Sequence, residues 1–234
     1  ISTDFKMTAE QFRSAISPKS KMMMFSSPCN PSGSVYAQEE LAEWVDIIAD
    51  SGIFVISDEI YEHINFVGGH TSLASFDRIK EQVITVNGVS KAWAMTGWRL
   101  GYIAASKEIA QACDKIQGQF TSATCSITQR AVIAAMQANP NVLNEMVATY
   151  KSRRDLVLSY LNKITDIKTN VPQGAFYLFP DVSAYLGRKF EGQIIETAED
   201  LTKYLLNEGL VSLVNGEAFG DKNCIRISYA ASNE

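Results

Sequence analysis

The sequence predicts an α/β fold with a mostly parallel sheet, followed from about residue 141 by a smaller α+β unit. Three observations carry this expectation. Over residues 1–140, short β-branched and aromatic runs alternate with segments of helical period, the pattern of strand–helix crossovers. The runs at Ile53–Ile56 and Val83–Val86 are continuous rather than alternating, as in strands buried on both faces. After Pro140 the pattern changes to a long helical segment, a stretch containing Pro and Gly, and further short apolar runs.

Taken in order, Met22, Met23, Met24 and Phe25 form an apolar run that stops at Ser26-Ser27-Pro28, a buried strand ending in a breaker. Leu41, Trp44, Val45 and Ile48 fall at i, i+3, i+4 and i+7, one face of an amphipathic helix, and Gly52 stands where that helix should end. Ile53–Ile56, Val83–Val86 and Tyr102–Ala105 read as buried strands, and Ile109, Ala112, Cys113 and Ile116 as one helix face. Beyond residue 140, Leu143, Val147, Tyr150, Val157 and Leu161 keep helical spacing. Pro172 to Pro180 interrupts it. Thr197 and Asp200 then make a capping box ahead of the stripe Leu201, Tyr204 and Leu205, with Gly209 as the stop. Apolar runs at Val211–Val214 and Ile225–Tyr229 close the pattern.

The 46% hydrophobic and 20% charged content supports a sizeable core and excludes a disordered chain. With 21 basic against 26 acidic residues the net charge is −5, which argues against a nucleic-acid groove. No apolar run approaches the roughly 18 residues of a membrane span. Cys29, Cys113, Cys125 and Cys224 are scattered without a CxxC pair, so no zinc site or disulfide framework is expected and a reduced, cytoplasmic setting fits. The sequence opens on Ile1 without a signal-peptide pattern, and either end is expected to be a cut.

Four clusters could carry chemistry: Asn30-Pro31-Ser32-Gly33, Ser57-Asp58-Glu59-Ile60-Tyr61, Ser90-Lys91 through Tyr102, and Ile225-Arg226-Ile227. The first three sit at or just after the carboxyl ends of predicted strands, the edge where open parallel sheets bind ligands; Arg226 lies within a strand. An Asp, a Tyr, a Lys and two Arg there would make an anion-binding pocket with one amine nucleophile. His63 and His70 show no ligand spacing and read as loop residues, Gly68-Gly69 as a turn, Cys29 as a small buried residue, Glu59 as structural, and Trp93 and Trp98 as packing residues.

The stretch Gly88-Val89-Ser90-Lys91-Ala92-Trp93-Ala94-Met95-Thr96-Gly97-Trp98-Arg99-Leu100-Gly101 resembles the lysine signature of class I aminotransferases, pyridoxal-phosphate enzymes of the aspartate aminotransferase fold. Asn-Pro-Ser-Gly, Ser-Asp-Glu-Ile-Tyr and Ile-Arg-Ile-Ser-Tyr-Ala occur in that family's order, so the resemblance spans essentially the whole chain and points to the bacterial aspartate aminotransferase branch. It implies that residues 1–140 are the second half of a large cofactor domain and 141–234 most of a small one. An N-terminal part and a terminal helix would then lie outside the sequence. It further implies a homodimer acting on amino acids and 2-oxo acids, with aspartate and 2-oxoglutarate as the family-level expectation.

Residue roles follow from the same resemblance. Lys91 would form the Schiff base with the cofactor aldehyde and, once displaced, serve as general base at the substrate α-carbon. Asp58 would keep a proton on the pyridine nitrogen, and Tyr61 would donate to the cofactor's phenolic oxygen. Arg99 would take the phosphate with a bidentate fork, Ser90 being a further phosphate neighbour. Asn30 would contact the phenolic oxygen and the substrate carboxylate, which Arg226 would clamp. The family often has a hydroxyl three residues before the lysine; here that position is Gly88. On the residues alone, Asp58 could instead be a helix cap, and Arg226 could pair with an acidic neighbour. Two other readings stay open: a carbon–sulfur lyase of the same fold, and the cofactor-binding part of a transcription regulator.

Overall fold

The structure, a computed structural model, describes residues 3–190 and 192–233. The chain forms two units. One runs through Lys6–Pro28 and Val35–Val147; the other takes the first residues up to Phe5, Cys29–Ser34, and the chain from Ala148 onward.

The first unit carries α1 (Ala9–Ala15), β1 (Met22–Ser26), α2 (Gln38–Ser51), β2 (Phe54–Asp58), β3 (Val83–Gly88), β4 (Gly101–Ala104), α3 (Lys107–Phe120) and α4 (Ser126–Gln137). The sheet order is β1-β2-β3-β4; the first three strands are parallel and β4 runs antiparallel to β3. Helix α2 forms where its apolar period predicts and stops at Gly52 in the left-handed region. Its Leu41, Trp44 and Ile48 are fully buried against Phe12, Val55 and Val83. Each such side chain contributes about 2 kcal/mol by leaving water.

The sheet departs from expectation on its other face. Met24 is 79% exposed, Met22 and Phe54 are exposed, and every residue of β4 is exposed, so β1, β2 and β4 are not strands buried on both sides. Helix α3 forms as expected, yet Ala112, Cys113 and Ile116 lie at the surface. Apolar character records a preference for burial without saying what does the covering. Here α1 and α2 cover one face only. Trp98, read as a packing residue, is also exposed.

The second unit contains most of α5 (Asn144–Leu161), then β5 (Tyr177–Leu178), β6 (Arg188–Phe190), β7 (Gln193–Ile195), α6 (Ala198–Gly209), β8 (Val214–Asn215) and β9 (Ile225–Ser228). Strands β5, β9 and β8 form an antiparallel sheet, and β6 pairs with β7. The Thr197–Asp200 capping box starts α6, which is capped by Leu210 in the left-handed conformation, one residue past Gly209. Of the run Val211–Val214, only Val214 enters a strand. Val182, Ile195, Ala198, Leu201 and Ile225 form this unit's core.

By its contacts the chain divides within α5 at Ala148, and the Asn30–Gly33 segment groups with the second unit. The reason is local. The carbonyl of Gly33 accepts from the N–H groups of Gln173 (2.8 Å) and Gly174 (2.9 Å), and Asn170 Nδ2 donates to Ser32 O (3.0 Å). Gly33 has φ +68°, and a Cβ there would stand 2.5 Å from Pro172 Cβ, so only glycine allows this docking. Among the described residues, no helix is long and apolar enough to cross a membrane.

Candidate active site

The residues singled out in the sequence fall into two groups, one in each unit. In the first unit, β2 ends at Asp58 and its parallel neighbour β3 ends at Gly88, just before Ser90 and Lys91. Asp58 is in register with Val86, so both turns open at the carboxyl edge of the same pair of strands. The Asp58 turn is tied to β3 by Glu59 N–H donating to Val86 O (2.9 Å), and Ile60 N–H donates to Asp58 Oδ1 (3.1 Å). Asp58 thus caps its own turn with one carboxylate oxygen. Tyr61 is buried in the same turn.

Lys91 is half-buried, and its amine has no partner among the described residues. Its turn is closed by Trp93 N–H donating to Val89 O (3.2 Å) and Thr96 Oγ1 donating to Ser90 O (2.9 Å). Arg99 follows on the same segment, exposed and in the left-handed region (φ 52°), with Nη1 donating to Thr96 O (2.9 Å). Thr96 therefore joins the lysine end of the signature to its arginine end. At Gly88 a Cβ would lie 2.9 Å from Leu100 O, so a side chain there would push against β4.

Glu59, read as structural in the sequence, and Glu62 brace this turn. Glu59, 3% exposed, accepts on Oε1 from the hydroxyls of Ser57 and Ser72 (both 2.9 Å) and pairs through Oε2 with His70 Nε2 (2.9 Å). Glu62 accepts from Asn87 Nδ2 (2.8 Å), whose Oδ1 accepts from Gly88 N–H (2.7 Å), linking the Tyr61 turn to the end of β3. The ligand atoms of Glu59, Glu62 and His70 lie within 4.8 Å of one another, a spacing a cation could use, but Glu59 and His70 already satisfy each other. Their separation across a loop gives no periodic signal in the sequence. Glu59→Ala would leave three buried or half-buried polar groups without their acceptor. It is expected to lower stability by on the order of 3 kcal/mol, read as a shifted urea midpoint of the complete protein. A midpoint equal to the parent's would remove the brace from the account.

In the second unit, Arg226 lies on β9 and donates through Nη1 to Asn30 Oδ1 (2.9 Å). No carboxylate pairs with it among the described residues. Its guanidinium carbon lies 4.6 Å from the Tyr177 ring centroid and 4.8 Å from that of Phe219. Nε is buried with no hydrogen-bond partner. A half-buried cation with one unmet donor is suited to an anion. Tyr177 and Phe219 were absent from the sequence-derived site because isolated aromatics read as core.

In the first unit an amine without a partner among the described residues, a capping carboxylate and a guanidinium thus stand at one strand edge, and the second unit holds Arg226 beside Asn30. The family model for aminotransferase class I and II matches residues 1–234, and the chain belongs to that family. It is 46% identical over 238 residues to the bifunctional aspartate aminotransferase and glutamate/aspartate-prephenate aminotransferase of Petunia hybrida, covering 99% of this chain and 50% of that protein. A probable aspartate/prephenate aminotransferase of Rhizobium leguminosarum bv. phaseoli is 39% identical over 235 residues, with 99% and 59% covered. The crystal structure of the aspartate aminotransferase from Rhizobium meliloti superposes with a TM-score of 0.94 at 36% identity, over 100% of this chain and 60% of that one. The chain therefore spans between half and three-fifths of the length of these relatives.

Proposed function

We propose that the complete protein is an aminotransferase that moves an amino group from an L-amino acid, aspartate foremost, to a 2-oxo acid such as 2-oxoglutarate. We further propose that it uses pyridoxal 5'-phosphate and works as a cytoplasmic homodimer. The names of the relatives support the substrate class, since they specify aspartate and prephenate. The observation that carries the chemistry is Lys91: a half-buried amine with no partner among the described residues, on the turn that also bears Arg99 and one strand over from Asp58. That donor set fits a phosphorylated aromatic aldehyde, because it offers an amine for the aldehyde, a carboxylate for a ring nitrogen and a guanidinium for a phosphate.

When bound, pyridoxal phosphate supplies a ring that withdraws electrons from the substrate α-carbon. The chain's own residues do the rest. Lys91 anchors the cofactor, and its amine, once displaced by substrate, takes the α-proton and returns it as general base and acid. Asp58 would hold a proton at the ring nitrogen. Tyr61 would donate a hydrogen bond to the cofactor's phenolic oxygen, and Asn30 would contact the cofactor. Arg99, with Ser90 beside Lys91, binds the phosphate. Arg226, steadied by Asn30, binds the substrate α-carboxylate.

Borohydride reduction of the complete, cofactor-loaded protein, followed by peptide mapping, tests the assignment. One pyridoxyl group is expected on the peptide containing Lys91. An adduct on Lys107 or Lys115 instead would remove Lys91 from its role.

A further inference from the structure

We propose that Arg154 is a positioning residue for the substrate-carboxylate site, setting Arg226 through the Pro172–Gly174 segment and Asn30. The inference rests on the reading of Arg226 as the residue that binds the substrate carboxylate. Helix α5 buries Arg154, Leu158 and Leu161, so a guanidinium, 8% exposed, stands at a buried position of the helix where an apolar side chain would serve packing alone. A buried cation is costly unless its donors are met. Here Nε and Nη2 both donate to Asp155 Oδ1 (2.9 and 2.7 Å), and Nη1 donates to Pro172 O (2.8 Å). Asp155 thus fixes the fork that presents Nη1 to the Pro172 carbonyl.

That carbonyl belongs to the peptide that grips the Asn30 turn. Pro172 C=O and Gln173 N–H share one planar peptide unit. Arg154 takes its oxygen, and its N–H donates to Gly33 O (2.8 Å), with Gly174 N–H on the same acceptor (2.9 Å). Fixing one side of the plane fixes the other, and a cationic donor on the oxygen strengthens the N–H as a donor. Gly33 closes the turn that carries Asn30: its N–H donates to Cys29 O (2.8 Å), and Cys29 N–H donates to Ser34 O (2.9 Å). Asn30 Oδ1 then accepts from Arg226 Nη1 (2.9 Å). Hydrogen bonds joined by short stretches of chain therefore run unbroken from Arg154 to Arg226.

The far end of the same segment is held by other groups. Tyr229 Oη donates to Ala175 O (3.3 Å), Tyr229 N–H donates to Phe176 O (3.0 Å), and Tyr177 pairs with Ser228 on the strand bearing Arg226. Losing Arg154 therefore loosens the end that holds the Asn30 turn and leaves the strand under Arg226 in place. Asn170 Nδ2 still ties the turn at Ser32 O (3.0 Å), so the turn shifts without being lost. Asp58, Lys91 and Arg99 belong to the other unit, and nothing in this path runs through them.

The test is a double-substitution cycle in the complete, cofactor-loaded protein, read by calorimetric titration with succinate, a dicarboxylate without an amino group, and by steady-state kinetics with aspartate. Arg154→Met keeps an unbranched apolar stem and removes every donor. It is expected to weaken succinate binding and raise KM by about fivefold to twentyfold, part of the worth of a charged hydrogen bond, with kcat and cofactor affinity within about twofold of the parent. Arg154→Lys supplies a single donor for Pro172 O and should recover most of the loss. In Asn30→Ala, where the link to Arg226 is already cut, adding Arg154→Met should weaken succinate binding little further. If Arg154→Met does not fold, Arg154→Gln takes its place. Parent-like succinate affinity in that variant, or an undiminished further loss in the Asn30→Ala background, overturns the proposal. Equal falls in kcat and cofactor affinity also overturn it, because they mark Arg154 as a residue of general stability alone. Parent-like succinate affinity in Arg226→Lys instead overturns the underlying reading of Arg226.

Discussion

Asp58→Ala is expected to slow turnover of the complete protein by about 10²- to 10⁴-fold, the range for losing a group that manages a proton in the reaction, while pyridoxal phosphate still binds. Binding survives because Lys91 and Arg99 sit on a different turn from Asp58. The substitution alone is ambiguous, since Asp58 also accepts the Ile60 N–H at 3.1 Å and its loss removes a cap worth about 1 kcal/mol. Asp58→Asn resolves this. An amide oxygen can accept the same N–H, so the turn is kept, but the charge proposed to hold a proton on the ring nitrogen is gone. The large rate loss should therefore appear in Asp58→Asn with little change in stability, and Asp58→Glu should lose less than either. Single-turnover measurement of α-proton exchange checks it. If Asp58→Asn exchanged the proton at the parent rate, the carboxylate would be a turn cap and nothing more.

How much of this was legible in the sequence depends on the range of the interaction that decides each feature. The apolar period of α2, its stop at Gly52 and the capping box of α6 are encoded within a few residues, and the structure forms them where the sequence places them. Asp58, Lys91 and Arg99 were visible because they sit in compact motifs at the ends of short apolar runs. The exposure of Met24, Phe54 and Ile116 was not legible, since it depends on what packs over those faces. The same limit hid the Glu59 brace. Its partners Ser57, His70 and Ser72 come together only when the loop after Tyr61 folds back on β2. Phe219 and Tyr177 were illegible for a further reason: an aromatic side chain looks the same in sequence whether it fills a core or faces a guanidinium.

The two arginines should fail in different ways, because one is assigned to an anion that stays through the cycle and the other to an anion that comes and goes. Arg99 is exposed, and its hydrogen bond to Thr96 O keeps it on the signature turn; removing it costs little in folding. Arg99→Ala is expected to weaken pyridoxal phosphate binding by about 10- to 100-fold, the loss of a charge-assisted bidentate contact. Arg226→Ala should leave cofactor binding within a few-fold of the parent yet raise KM by a comparable 10- to 100-fold factor for every amino acid and 2-oxo acid alike, since all carry the α-carboxylate. Arg226→Ala also strips Asn30 of its donor and leaves space between Tyr177 and Phe219, so some stability loss accompanies it. Arg226→Lys separates the two effects: it keeps a charge near Asn30 but has no planar fork, and its KM should stay raised while stability recovers. Equilibrium titration of the cofactor and steady-state kinetics on the three variants decide the matter. Cofactor loss in Arg226→Lys, with normal substrate affinity in the loaded fraction, would mean that the two arginines have been assigned to the wrong anions.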